Sequence, residues 1–325
     1  MVTPSHYPGG AVMTRYILQR LATLIPILFG ISVLVFTIIH LVPGDPALIM
    51  LGIDATDESI KALRDQMGLN QPLLQQYFTW VWHLLQGDFG SSVHSGQPIL
   101  PEIFERFIVT LQLTILAAII GWSIAIPIGM LSAVKSGSTS DILGRLFALL
   151  GISVPNFAVG TLLLLVLSLY FGWFPPIDFV NVWEDPIASI KKLILPAVTM
   201  GIVMAAGVMR MTRSTFMETL GKDYIRTARA KGNTEARVLF GHAFRNSAIP
   251  IFTIMGMQFG YLLGGSVIVE QLFSIPGLGQ YILDGIHLRD YPVVQGGVLF
   301  IAVTFVLINL FIDMIYTIID PRIEY

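Results

Sequence analysis

Charged positions are missing from six long apolar stretches of the chain and cluster between them. Leu21–Gly44 runs 24 residues without Lys, Arg, Asp or Glu, Phe107–Val134 runs 28, and Leu146–Ile177 runs 32. Leu193–Met209 runs 17, Asn246–Val269 runs 24, and Tyr291–Ile312 runs 22 before Asp313 interrupts an apolar stretch that resumes to Ile319. A helix rises 1.5 Å per residue, so roughly 20 apolar residues cross the hydrocarbon core of a bilayer. The pattern therefore predicts six spanning helices. Leu193–Met209 is the shortest and borrows flanking residues such as Lys192, whose apolar stem can snorkel. Outer-membrane strands alternate in polarity over about 10 residues, whereas Thr161–Leu169 (TLLLLVLSL) is apolar on every side. Arg15 and Arg20 precede the first run as a basic flank precedes a signal peptide. That run exceeds the roughly 7–15 residues of a signal core, and His40–Pro46 after it offers no A-x-A cleavage site. A retained anchor helix is expected.

Composition agrees with the pattern. Of 325 residues, 54% are apolar and 12% charged, with mean hydropathy +0.74; a soluble domain carries about a quarter charged residues. The net charge of −2 gives no global basic field for nucleic acid. The absence of cysteine excludes disulfides, thiol catalysis, iron–sulfur clusters and Cys-ligated zinc. Six scattered His, none in an H-x-x-x-H pair, predict no metal site. The only Gly-Lys pair, Gly221-Lys222, is followed by Asp223, so there is no phosphate-binding G-x-x-x-x-G-K-[ST] loop. A chain of this kind is expected to be no enzyme by itself.

Charge between the runs predicts orientation. The N-terminus, residues 135–145, residues 210–246 and the C-terminus hold 13 of the 19 Lys/Arg. Residues 45–106, 172–192 and 270–290 hold 6 Lys/Arg and 14 acids. Both termini should be cytoplasmic. The expected plan is a tail at 1–14, a first helix at 15–44, an external segment at 45–106, a five-helix core at 107–319 containing a cytoplasmic loop at 210–246, and a tail at 320–325. The external segment contains a charged helical stretch, Asp57–Met67, and an aromatic one, Gln75–Leu85, with Tyr77, Phe78, Trp80 and Trp82. Two readings stand for it: a lid on the bilayer surface, or a docking platform.

The basic loop is the most informative segment. Asp223–Lys231 (DYIRTARAK) reads as a short helix, Gly232 as its left-handed C-cap, and Asn233 or Thr234 as the N-cap of a second helix. In that second helix Ala236, Leu239, Phe240, Ala243 and Phe244 fall at i, i+3, i+4, i+7, i+8 and predict one apolar stripe. Spacing alone leaves two readings: insertion into a groove of a soluble partner, or a helix lying on anionic lipid. Elsewhere, Gly256, Gly260 and Gly264 form a small-xxx-small ladder for close packing or for lining a path. Asn309 and Asp313 share one face of the last span, as packing, capping or substrate-facing groups. Pro26, Pro127, Pro155, Pro196 and Pro250 lie in or at the ends of spans, where kinks are expected.

Asp223-Tyr-Ile-Arg-Thr-Ala-Arg-Ala-Lys-Gly232, followed by His242-Ala-Phe-Arg-Asn-Ser-Ala-Ile-Pro250, resembles the cytoplasmic signature loop of ABC-importer permeases of the dipeptide/oligopeptide branch. The segments His40-Leu-Val-Pro-Gly-Asp-Pro46, Gly68-Leu-Asn-Gln-Pro72, Gln86-Gly-Asp-Phe-Gly90, Phe273-Ser-Ile-Pro-Gly-Leu-Gly279, Arg289-Asp-Tyr-Pro292 and Asp320-Pro-Arg322 look like the same branch. The resemblance covers residues 14–325, and within the branch the glutathione and dipeptide members are most similar. One departure stands out: where the general signature begins Glu-Ala-Ala, this chain has Arg226-Thr227-Ala228, and Gly232–Pro250 is longer than in the general form. The resemblance implies an all-α, six-helix type I permease with a long external loop between its first and second helices. It implies import of short peptides or glutathione across the cytoplasmic membrane. Partners are then a homologous second permease, two ATP-binding subunits that hold ATP and Mg, an external substrate-binding protein and the lipid bilayer. The chain itself carries no cofactor. Carried over by position, the ATPase-coupling residues are Thr227, Ala228, Arg229, Ala230, Gly232, Glu235, Arg237 and Val238, with Arg229 and Arg237 facing partner acids. The same machinery importing nickel chelates or other small solutes is an alternative. A self-contained secondary carrier is another, but no second copy of the Arg226–Pro250 pattern supports an internal repeat.

Overall fold

A computed structural model describes residues 11–41, 46–51, 56–66 and 68–319. The helices are α1 (Ala11–Leu41), α2 (Pro46–Leu51), α3 (Asp57–Gln66), α4 (Leu73–Leu85), α5 (Ile99–Val134), α6 (Thr139–Ser153), α7 (Asn156–Phe171), α8 (Pro186–Leu220), α9 (Asp223–Ala230), a π-helix (Arg237–Phe244), α10 (Arg245–Gly265), α11 (Val267–Leu272), α12 (Leu278–Leu288) and α13 (Tyr291–Ile319). Among the described residues the only β pairing is the isolated bridge Ser91–Pro98. The chain divides into two compact units. One takes in the residues up to Phe104 and those from Tyr281 onward; the other runs Glu105–Gln280.

In the first unit α1 packs along α13, and α4 lies against α1. Tyr77 of α4 bonds Ser32 of α1 at 2.8 Å and stands edge-on to Phe36, ring centres 5.4 Å apart. The opposite side of α4, with Leu74, Phe78, Trp82 and Leu85, is exposed. The predicted stretches at Asp57–Met67 and Gln75–Leu85 thus appear as α3 and α4, with Met67 outside the described residues. Asp57 and Glu58 fill the first turn of α3, where the helix dipole favours acids. The segment before α5 is stapled to the start of α13: Ser92 Oγ donates to Asp290 at 2.6 Å, the Val93 N–H to the same carboxylate at 3.1 Å, and His94 Nε2 meets the Leu288 carbonyl at 2.7 Å.

The second unit is built around α8. It starts at Asp185, whose carboxylate caps Ile187 and Ala188 N–H at 3.0 Å, with Pro186 at the first helical position. Some 72% of its apolar stretch is buried, against 39% for α5. Its neighbours α6, α7 and α10 enclose it. The core combines Leu113, Ala117 and Ala125 of α5 with Ala197, Met200, Met204, Ala205 and Met209 of α8 and Ile251, Met255 and Leu262 of α10. In lipid, apolar burial does not distinguish a packed helix from a separate one, so close van der Waals fit must hold these helices together. Small residues permit it. A Cβ on Gly121 would lie 2.9 Å from the Gly201 carbonyl, and one on Gly201 the same 2.9 Å from the Ala117 carbonyl, so α5 and α8 touch backbone to backbone.

Among the described residues four helices are long and apolar enough to cross a membrane by themselves: α5, α8, the π-helix continued through α10 to Gly264, and α13. Two expectations are corrected here. The run Leu146–Ile177 is not one helix but α6 and α7, bent by 107°. Val154 is extended (φ −95°, ψ 126°) ahead of Pro155, as the proline ring requires of its predecessor, and the helix restarts at Asn156. Pro26, Pro127, Pro196 and Pro250, by contrast, lie inside unbroken helices. The second correction concerns Lys192, which does not snorkel. It is 2% exposed, and its ammonium is held by protein carbonyls.

Candidate functional site

The segment between α8 and α10 forms one structural feature. α8 ends at Leu220, Lys222 is extended (φ −75°, ψ 147°), and α9 begins at Asp223 with an acid in its first turn. One side of α9, Ile225 and Ala228, is buried against Phe216 of α8, Met130 and Ala133 of α5, and Val238 and Ala243 of the π-helix. The other side, with Arg226, Thr227, Arg229 and Ala230, is exposed. Gly232 ends α9 at φ +78°, its N–H donating to the Arg229 carbonyl at 2.9 Å. A Cβ there would meet nothing within 4 Å, so the space beyond this glycine is open. Asn233 Nδ2 caps α9 from outside, donating to the Ala228 carbonyl at 2.9 Å. Thr234 opens the next helix, its Oγ1 accepting from Arg237 N–H at 3.4 Å.

Arg229 and Glu235 form a two-pronged pair across the Gly232 turn, Nε to Oε1 at 2.8 Å and NH2 to Oε2 at 3.3 Å. Arg229 therefore grips its own chain, and Arg237 is the exposed cation without that tie. Ser247 secures the far end: its Oγ lies 2.9 Å from both Thr219 Oγ1 and the Ala243 carbonyl. Burial raises the Tyr224 phenol above its ordinary pKa, while the charge of Lys222 and a hydrogen bond with Asn246 work the other way.

Over 237–244 the expected stripe holds in part: Ala243 is buried, and Leu239 and Phe244 pack against the same core. The segment is a π-helix that runs without a break into α10. Its i→i+5 bonding brings residues five apart onto one face, and Val238 and Ala243 are the buried pair. Phe240, expected inside, is 65% exposed, and Ala236 is exposed as well. Of the eight positions expected at the coupling surface, Thr227, Arg229, Ala230, Gly232, Glu235 and Arg237 are exposed together. Ala228 and Val238 face this chain's own core. On α10, Gly260 is buried, Gly256 half-buried and Gly264 exposed. Asn309 turns back on its own helix, donating to the Phe305 carbonyl at 2.8 Å; the Asp313 side chain lies outside the described residues.

One cluster was not anticipated. Asp141, at the start of α6, is 1% exposed. It accepts from Arg213 of α8 at 2.6 and 3.0 Å, from Ser132 Oγ of α5 at 2.6 Å, and from Gly137 N–H at 2.9 Å. It joins the three helices just ahead of the Phe216 seat. Nothing in the spacing pairs residues 72 positions apart; an Asp three residues after Ser138 reads only as a helix start.

Among the described residues no group of three or more His, Cys, Asp or Glu could hold a metal ion.

Comparison with known proteins bears on what such a surface serves. Residues 125–325 match the family described as binding-protein-dependent transport system inner membrane component, and residues 13–114 match its N-terminal companion. The glutathione transport system permease protein GsiC of Salmonella paratyphi A is 44% identical over 313 residues, 96% of this chain and 100% of that protein. GsiC of Escherichia coli K12 is 43% identical over the same span. Among solved structures, an inward-facing MetNI methionine ABC transporter matches with TM-score 0.54 at 18% identity, over 67% of this chain and 96% of that one; a second crystal form gives 0.51. That likeness speaks for the type I permease fold. With the family pattern and the relatives covering nearly the whole chain, this protein belongs to the binding-protein-dependent transport system inner membrane components, the membrane-spanning subunits of ABC importers.

Proposed function

We propose that this chain is one of two homologous permeases in an importer of short peptides, glutathione among them, driven by two ATP-binding subunits and fed by an external binding protein. The observation that carries the substrate class is the full-length similarity to permeases named for glutathione transport. The chain contributes no ATP site; ATP and Mg belong to the partner subunits. Segment 221–244 is the contact for an ATPase subunit. Six of its eight expected positions are exposed together, and the open space at Gly232 leaves room for close approach. The charge count supports a cytoplasmic position for this segment and both termini, with the subunit in the inner membrane. The segment before α5 then faces outward, where it helps receive the binding protein.

The test is co-expression with the genetically adjacent permease, ATPases and binding protein. Purification should give two permeases and two ATPases. A ligand screen on the binding protein, followed by uptake into proteoliposomes, should return glutathione or dipeptides. Active uptake by this polypeptide alone would refute the reading.

A further inference from the structure

Two side chains of opposite charge are buried in the second unit, and nothing described so far uses them. Lys192 on α8 is 2% exposed and Glu270 on α11 is 0% exposed. No ion pair joins them; each is satisfied separately. Lys192 Nζ donates to the carbonyls of Pro176 at 2.8 Å, Ile177 at 3.0 Å and Phe273 at 3.2 Å. An ammonium has three N–H groups, so these carbonyls use its whole capacity. Glu270 Oε1 accepts from Thr110 Oγ1 at 2.8 Å and from Ser266 Oγ at 2.7 Å, and Oε2 from the Gln280 N–H at 2.9 Å. Thr110 Oγ1 in turn accepts from the Leu278 N–H at 2.9 Å.

Both anchors hold the same object, the turn Phe273–Gly279 between α11 and α12. The cation grips its first residue. The Thr110–Glu270 pair grips Leu278 and Gln280 at its end. Within the turn, Ser274 sits at φ +49°, a left-handed conformation that a residue with a Cβ keeps only where its surroundings impose it. Gly277 lies so close to the Glu270 carboxylate that no side chain would fit there.

Buried charges are a poor way to gain stability, since apolar residues of similar size often do as well or better. What a charge adds is direction, because charge-assisted hydrogen bonds fix where their partners sit. The location gives that direction a use. α10 carries 21 residues away from segment 221–244, about 30 Å of helix. The turn therefore stands across the bilayer from that segment, on the side where substrate would enter.

We propose that Lys192 and Glu270 are positioning residues of the transport cycle, bolting the Phe273–Gly279 turn to α5, α8 and residues 176–177 so that it follows when α8 and α10 are displaced from their other end. The proposal rests on the reading of 221–244 as the ATPase contact. A turn held by the chain alone would lag behind the helices. One bolted at both ends moves with them.

This chain has no cysteine, so a disulfide can be placed in it without competing thiols of its own. In the complete complex with ATPases and binding protein in proteoliposomes, Glu270→Gln and Lys192→Met should leave assembly and basal ATP hydrolysis unchanged. Uptake per ATP hydrolysed should fall at least tenfold. Oxidised Thr110→Cys/Leu278→Cys in the Glu270→Gln background should recover that ratio, and reduction should abolish the recovery. Normal uptake per ATP in both single variants overturns the proposal. So does an oxidised disulfide that blocks uptake, which would mean that the turn must leave α5. If Glu270→Gln fails to assemble, the disulfide in the Glu270 background decides between retained uptake, in favour, and blocked uptake, against. Gly232→Trp keeps the two readings apart: normal uptake there removes the coupling contact, while the disulfide result judges the bolt.

Discussion

At Gly232 the backbone angle and the surroundings make separate demands. The φ of +78° disfavours any side chain, yet the protein leaves the space beyond it empty. Gly232→Ala should cost about 1 kcal/mol through the left-handed backbone alone. Gly232→Trp should insert and assemble, but lose stimulation of ATP hydrolysis by loaded binding protein, because the indole occupies the approach path. Comparing basal with stimulated rates checks this. Asp141 presents the opposite case, a buried charge held by hydrogen bonds from Arg213, Ser132 and Gly137. Asp141→Ala leaves Arg213 largely buried beside vacated acceptors and should destabilise the subunit by about 3 kcal/mol. Asp141→Ala/Arg213→Met should be more stable than Asp141→Ala alone, since the stranded charge is gone; thermal unfolding of the purified complex would show the order. Residues of these two kinds differ in how readable they are. Glycine announces a left-handed turn wherever a helix must stop, so Gly232 was legible. Asp141 and Arg213 read as ordinary loop charges until the fold brings them to 2.6 Å.

The π-helix shows what periodicity can miss in an element. An α-helical stripe over Ala236–Phe244 assumes i+3 and i+4 neighbours, and the sequence meets that pattern well. The backbone winds wider there, so Val238 turns inward and Phe240 outward, while Ala243 stays inside as the stripe expects. Deleting Gly241, which is exposed, removes the extra residue that a π segment carries relative to an α-helix. The deletion should restore α winding, swing everything before it around the axis of α10, and withdraw Val238 from Ile225 and Phe216. We expect an inserted subunit whose ATPases are no longer stimulated, with crosslinking between single cysteines at 225 and 238 reporting the lost contact. The bend at Pro155 was half legible: the proline was in view, but four others lie inside unbroken helices. A second small-residue seam was not read: Gly121 and Gly201 make a backbone contact between α5 and α8. A ladder of glycines says that close approach is possible, not which neighbour will come.

For the molecule, the charge-free runs located the four helices that are long and apolar enough among the described residues, because the length needed to cross hydrocarbon is fixed by helix rise; the run Leu146–Ile177 hid two helices. The same charges predict sidedness, and the cysteine-free chain makes it measurable. A single cysteine at Ser95 should react with a membrane-impermeant maleimide in intact spheroplasts, and one at Thr227 only after permeabilisation; the reverse pattern would invert the orientation. Run lengths could not reveal which helix lies innermost. In the second unit that helix is α8, and its enclosure there has a consequence for how the subunit is made. Synthesis delivers α5, α6 and α7 before α8, so those walls of its niche can already stand when it enters the bilayer. The remaining wall, α10, is translated afterwards. Until then Met200, Met204 and their small neighbours must face lipid or a chaperone. A nascent chain stalled before Asn246 would therefore leave the small-residue face of α8 without its last helical neighbour, and quality-control proteases would meet the subunit with that niche still open.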